Sequence, residues 1–224
     1  MIKTKERELK QIYAMVVIVF LVFLLIPIVL LLGKSFEGGG GVSLEHYADV
    51  AGGKGFAAAF GRSIFVSCVS AVLTTALAFV LAYTIHYTNV PGGLKKFIRL
   101  AAVVPMLLPT ITYGFAIIYS FGRQGFITGM IGHQMFEIYG FYGLLLGYVI
   151  YTLPISFMLI LNTMCFIDKK FMIVSRIMGD SPLKTFLGTV IRPLLGTLAA
   201  SFVQCFFLCF TDFGIPASVG GQYD

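Results

Sequence analysis

Apolar residues fall into five long runs separated by short polar stretches. Residues 12–32, 63–85, 100–122, 138–167 and 193–211 contain no Asp, Glu, Lys or Arg. A helix that crosses the hydrocarbon layer needs about 20 such residues. The runs are solid rather than alternating, so they read as membrane helices and not as barrel strands. The run 138–167 has 30 residues, so it must tilt or carry its ends outside the hydrocarbon. The expected fold class is all-α, a polytopic membrane protein with five transmembrane helices. The expected division is 1–62, a first helix with its outside loop, and 63–224, a transmembrane core with a surface loop at 168–192.

Composition narrows this further. The chain is 58% hydrophobic and 12% charged, against about 45–50% and about 25% in soluble domains. A soluble fold of this length could not hide that apolar surface, and disorder needs the opposite balance. The basic residues are unevenly placed. Twelve of the 16 Lys and Arg lie before the first run, between runs two and three, and between runs four and five. The positive-inside rule puts these segments and the N-terminus in the cytoplasm. The net charge of +6 is therefore a matter of topology, and no compact basic domain exists for nucleic acid. The first run is too long for a cleavable signal and Leu32-Gly33-Lys34-Ser35 offers no A-x-A site, so it is read as an uncleaved span.

Few residues carry chemistry. Cys68, Cys165, Cys205 and Cys209 all lie in or at the ends of apolar runs, which argues against a disulfide framework. Cys205 and Cys209 share a helix face. Without a nearby His they read as small interface residues rather than a metal pair. In the first outside segment Gly38–Gly41 reads as a flexible stretch, Ser43 as the N-cap of a short helix and His46 as a solvated side chain. No metal site is expected.

Pro105 and Pro109 in run three, like Pro27 and Pro154, free backbone carbonyls and kink a helix. A gate and a kink that fits neighbouring helices both remain open. Gly143-x-x-x-Gly147 permits close helix approach. Asn162 and Gln204 are uncharged polar residues within runs, where they could line a path or bond between helices. Asp212, the first charge after run five, reads either as a functional acid or as a marker of the outer interface.

The stretch 168–192 is the most informative. Phe171, Val174, Ile177 and Met178 recur at helical spacing. Gly179 is placed to end that helix, and Ser181 followed by Pro182 is a cap and first turn of another. This predicts a helix–turn–helix at the cytoplasmic surface, suited either to the lipid interface or to a docked partner.

Here the sequence resembles the inner-membrane permease subunits of binding-protein-dependent ABC transporters. Their cytoplasmic signature runs E-A-A, three residues, Gly, nine residues, I-x-L-P. Gly179 matches the signature glycine within Arg176-Ile177-Met178-Gly179-Asp180-Ser181-Pro182. Ile173-Val174-Ser175 replaces E-A-A, and Arg192 stands where the last proline is expected, with Pro193 next. Further likeness lies in Ser43–Tyr47, Pro105–Pro109, Gly122–Gly125, Asp212–Ala217 and Gly220-Gly221. Asp212–Ala217 together with Gly220-Gly221 is most similar to permeases for ferric iron, 2-aminoethylphosphonate or polyamines.

The resemblance implies a permease that couples to a separate cytoplasmic ATPase dimer through Arg176, Gly179, Asp180, Ser181 and Pro182. It implies pairing with a second permease half and delivery of solute by an extracytoplasmic binding protein. Pro105, Pro109, Asn162, Gln204 and Asp212 are then pathway or gate candidates. ATP would bind the partner subunit, and no cofactor is expected in this chain. The location implied is the bacterial inner membrane, in contact with the lipid bilayer. Such permeases have at least six spans, so the chain is expected to be a truncated or split one.

Two other classes compete. A proton-coupled carrier usually keeps Asp, Glu or His inside its spans, and here His86 and Asp212 lie at span ends. Sodium coupling through carbonyls and hydroxyls stays open, as does a membrane assembly protein. No HExxH, GxSxG or P-loop occurs, so the chain is not expected to be an enzyme.

Overall fold

The computed structural model describes the backbone of residues 2–38 and 41–220 and the side chains of residues 8–37 and 41–220. The side chains of Lys3, Lys5 and Arg7, the glycines 39 and 40, and the tail from 221 lie outside the described residues. Two compact units divide at 57/58.

In the first unit, α1 (Ile2–Phe20) and α2 (Ile26–Ser35) join through a wide turn at Leu21–Leu25. Pro27 has no N–H to give to the carbonyl four residues back. The chain widens just before it, and Ile26 N–H bonds Leu21 O, five residues back. Residues Glu8–Ser35 form one span-length helix. Two short strands, β1 (Glu37–Gly38) and β2 (Gly41–Val42), pair antiparallel, Glu37 with Val42. Helix α3 (Glu45–Gly52) follows, its first turn held by Ser43 Oγ, which accepts from Glu45 N at 3.0 Å. His46 is tied to Glu37 O at 2.9 Å.

Helix α4 (Phe56–Tyr87) begins after Gly55, whose φ of +125° turns the chain. The division expected at residue 62 falls inside this continuous helix.

Among the described residues four helices are long and apolar enough to cross a membrane: Glu8–Ser35, α4, α8 (Phe141–Cys165) and Pro182–Phe210. The remaining expected span is a bent pair, not one rod. Helix α5 (Gly92–Val103) continues as a tight turn at Val104–Leu107 and stops. Helices α6 (Thr110–Phe121) and α7 (Phe126–Ile131) follow, at 114° to the first part. Pro105 and Pro109 remove two donors, and Pro109 drives Leu108 into an extended conformation, ψ 142°. The buried Tyr113 hydroxyl repairs the break by donating to the carbonyls of Pro105 and Leu108.

Helix α9 (Lys170–Ile177) precedes α10 (Pro182–Phe186), which runs through a second wide turn, Leu187–Ile191, into α11 (Arg192–Phe210). Again the wide turn lies just before a proline, Pro193. The loop expected to end at residue 192 therefore has no distal boundary; its second helix is the start of the last span. Helix α12 (Gly214–Val219) folds back against α6 and α8. Its approach requires glycine. A Cβ at Gly114 would collide with Ser218, and one at Gly147 would lie 2.7 Å from Ile215 Cγ2. The second glycine of the 143/147 pair thus serves packing within the chain.

Two apolar clusters hold the second unit. One gathers Ala78, Ala82 and Ile85 of α4 with Phe157, Ile160 and Met164 of α8 and Val190 and Leu194 of the last span. The other gathers Val66, Tyr113, Leu144, Tyr148, Cys209, Ile215 and Val219.

Candidate functional site

Asp168 starts the surface element, its carboxylate accepting from Lys170 N at 2.9 Å. Helix α9 ends at Gly179, φ +82°, with Gly179 N donating to Arg176 O and Asp180 N to Ser175 O. That left-handed glycine is the helix stop expected from the sequence. Ser181 caps the next helix, accepting from Lys184 N at 3.4 Å, and Pro182 opens it.

The corner between the helices is tied from inside. Ser175 Oγ donates to Asp180 Oδ2 at 2.8 Å and lies 3.0 Å from Thr185 Oγ1. Lys184 Nζ closes the corner at 2.5 Å from Asp180 Oδ1. The Lys184 ammonium and the Ser175 hydroxyl hold the Asp180 carboxyl below the usual carboxylate range. Ser175 stands where the signature has its second alanine, so its hydroxyl makes a local bond that alanine could not.

Outward, the element is apolar. Phe171, Val174, Ile177, Met178 and Leu183 are exposed, Ile177 at 80%. Inward, it grips the bundle. Met172 packs on the first apolar cluster, and the Phe186 ring meets Phe79 and Tyr83 edge-on at 6.2 and 5.7 Å. The second helix of the element is continuous with the last span, and these rings join it to α4.

Between the two apolar clusters lies a belt of buried hydroxyls that the sequence reading passed over. Thr74 of α4 meets Thr152 of α8 at 3.0 Å, and Thr75 meets Ser201 of α11 at 3.3 Å. Ser156 bridges Ser201 and Cys205, each at 2.8 Å. All except Thr75 are no more than 2% exposed, and Thr75 is 9% exposed. The nearby Ser70 Oγ is buried with no hydrogen-bond partner among the described residues. The four-residue spacing of Thr152 and Ser156, and of Ser201, Cys205 and Cys209, was the available signal. Cys205 and Cys209 are buried and unpaired, as small interface residues.

The other candidates are scattered. Asp212 caps α12, accepting from Ile215 N at 2.9 Å, and with Arg62, Ser67 and Tyr148 it lines a cavity of about 270 Å³. Asn162 and Gln204 are exposed, and among the described residues neither makes an interhelical hydrogen bond. The bonding expected of them is made instead by shorter hydroxyl side chains, which let helix backbones come close. Pro105 and Pro109 form the break described above, away from the surface element.

No family profile matches the chain. It is 24% identical over 216 residues, 93% of its length, to the ferric transport system permease protein FbpB of Actinobacillus pleuropneumoniae. It is 29% identical over 163 residues to the thiamine transport system permease protein ThiP of Salmonella typhimurium, covering 71% of the chain. To the probable sulfate transport system permease protein cysT of Helicosporidium it is 26% identical over 74% of its length. The chain covers 31%, 30% and 61% of these relatives in turn. Its fold matches a chain of a bacterial ABC transporter involved in the import of the acidic polysaccharide alginate. The TM-score is 0.69 and identity 13%, over 99% of this chain and 84% of the other. The likeness expected from the 168–192 segment therefore extends to the fold of the whole chain and to transport permeases for several unrelated solutes.

Proposed function

We propose that this chain is a transmembrane permease subunit, or part of one, of an ATP-driven solute importer in a bacterial inner membrane. Its basic-biased end, with the N-terminus and the surface element, faces the cytoplasm. A separate ATPase dimer docks on that element, a second permease half completes the pathway, and an extracytoplasmic binding protein brings the solute. ATP is bound and hydrolysed on the ATPase, and this chain supplies the path and the mechanical link.

The observation that carries this reading is the capped corner at Gly179. A lipid-surface helix needs an apolar face but not a locked corner. Here Ser175, Asp180, Lys184 and Thr185 lock the corner, the apolar residues point outward, and the second helix is the beginning of a span. A rigid exposed knob joined to a membrane helix can transmit force from a docked partner. Gly179 and Ser181–Pro182 set its shape, Asp180 locks it, and Arg176 is exposed beside it.

Capture of a cytoplasmic ATPase by the membrane-embedded chain tests the proposal. Gly179→Pro keeps the charges but cannot adopt the +82° conformation, and it is expected to abolish capture. Capture that survives removal of Phe171–Leu187 rejects it.

A further inference from the structure

Beyond the transport reading and independent of it, a second surface brings basic and apolar residues together. Helix α5 and the end of α8 border two adjoining cavities of about 610 and 470 Å³ that share Lys96, Arg99, Leu161 and Cys165. One is walled by apolar side chains, Leu100, Val103, Phe157 and Met158 among them. The other is rimmed by Lys95, Lys169 and His86, and no acidic residue lines either.

Two of the cations are already held in place. Lys95 Nζ donates to Thr88 O at 2.7 Å, and Lys169 Nζ sits 6.0 Å above the Tyr87 ring. Lys96 and Arg99 are exposed and form no ion pair among the described residues. His86 Nε2 is shielded from solvent and has no hydrogen-bond partner among the described residues. Leu94, Phe97 and Leu100 of the same helix are exposed, so α5 presents apolar and basic residues together, as helices in the lipid interface do.

We propose that this paired cavity is a binding site for an anionic phospholipid, its phosphate held by Lys96 and Arg99 and an acyl chain lying along Leu100, Val103, Phe157 and Met158. Charge and apolarity sit in the order that a lipid requires, and at the chain's basic-biased end, where anionic headgroups attract cations. A free phosphate would leave the apolar wall empty. A second copy of this chain, with a net charge of +6, would bring positive charge to a positive face.

Native mass spectrometry of the detergent-purified chain tests this, with phosphatidylglycerol, phosphatidylcholine or inorganic phosphate added at equal concentration. Phosphatidylglycerol is expected to stay bound and phosphatidylcholine to be lost. K96Q/R99Q should cut retained phosphatidylglycerol about tenfold, M158W should also cut it by filling the apolar half, and K54Q should not change it. Equal retention of the two lipids overturns the proposal, as does retention unchanged in K96Q/R99Q. Displacement of lipid by inorganic phosphate with no effect of M158W also overturns it, in favour of a simple anion site.

Discussion

Among the described residues, the most apolar span window finds no burial within its own unit, while a less apolar one in the second unit is half buried. No part of the span window in Glu8–Ser35 is buried, whereas half of that in α8 is. Leu, Val, Ile and Phe crowd the first; the second carries Gly143, Gly147, Thr152, Pro154 and Ser156 among its buried residues. In water the order would be reversed. In lipid, apolar side chains gain no hydrophobic free energy by leaving the acyl chains, so helices associate through close packing, which small residues permit, and through polar bonds. Hydropathy selects what enters the membrane; small and hydroxyl residues let the helices approach, and side chains such as Phe157, Ile160 and Met164 fill the contact by their shape.

Substitutions can break this contrast. Gly147→Leu in α8 should have the largest effect, because the position beside Ile215 has no room. Overpacking of this kind costs about 3 kcal/mol, read as loss of monodisperse protein on detergent extraction. Thr152→Val should cost about 0.6 kcal/mol and at most about 1.7 kcal/mol. It leaves Thr74 without its cross-helix bond, and thermal melts in micelles would register it.

Asp180 sharpens the contrast from the surface side. Its folded carboxyl titrates lower than the unfolded one, so its bonds stabilise the corner above the ordinary range near about 4 and are lost as pH falls below it. Hydrogen-exchange protection at 175–185, corrected for the intrinsic pH dependence of amide exchange, should be flat from neutral pH down to about 4 and fall below it, and Asp180→Asn should remove that step. Leu24→Ala, on the exposed face of the first span, should stay within about 0.5 kcal/mol. A larger change would show that this helix has a packing partner.

The surface element was legible because its signals are local. A capping serine, a proline at the first turn and a glycine stop act within a few residues of backbone, whatever surrounds them. The break at Pro105 and Pro109 was legible in the same way, though not the Tyr113 hydroxyl that closes it from the following helix. The hydroxyl belt was not legible. Thr74, Thr152 and Ser201 lie on three helices far apart in sequence, and each alone looks like an ordinary residue in an apolar run. Asn162 and Gln204, the more conspicuous polar residues, lie exposed instead.

The sequence by itself determined the solvent, the spans and their charge bias, and the turns, because each follows from composition or from neighbours along the chain. Only the tertiary structure decided that the surface element continues into the last span and which small residues meet. It also decided that basic and apolar side chains of α5 and α8 share one cavity. Those facts depend on distances between helices, and in a membrane such distances are set by the fit of side-chain shapes and hydrogen bonds rather than by hydrophobicity.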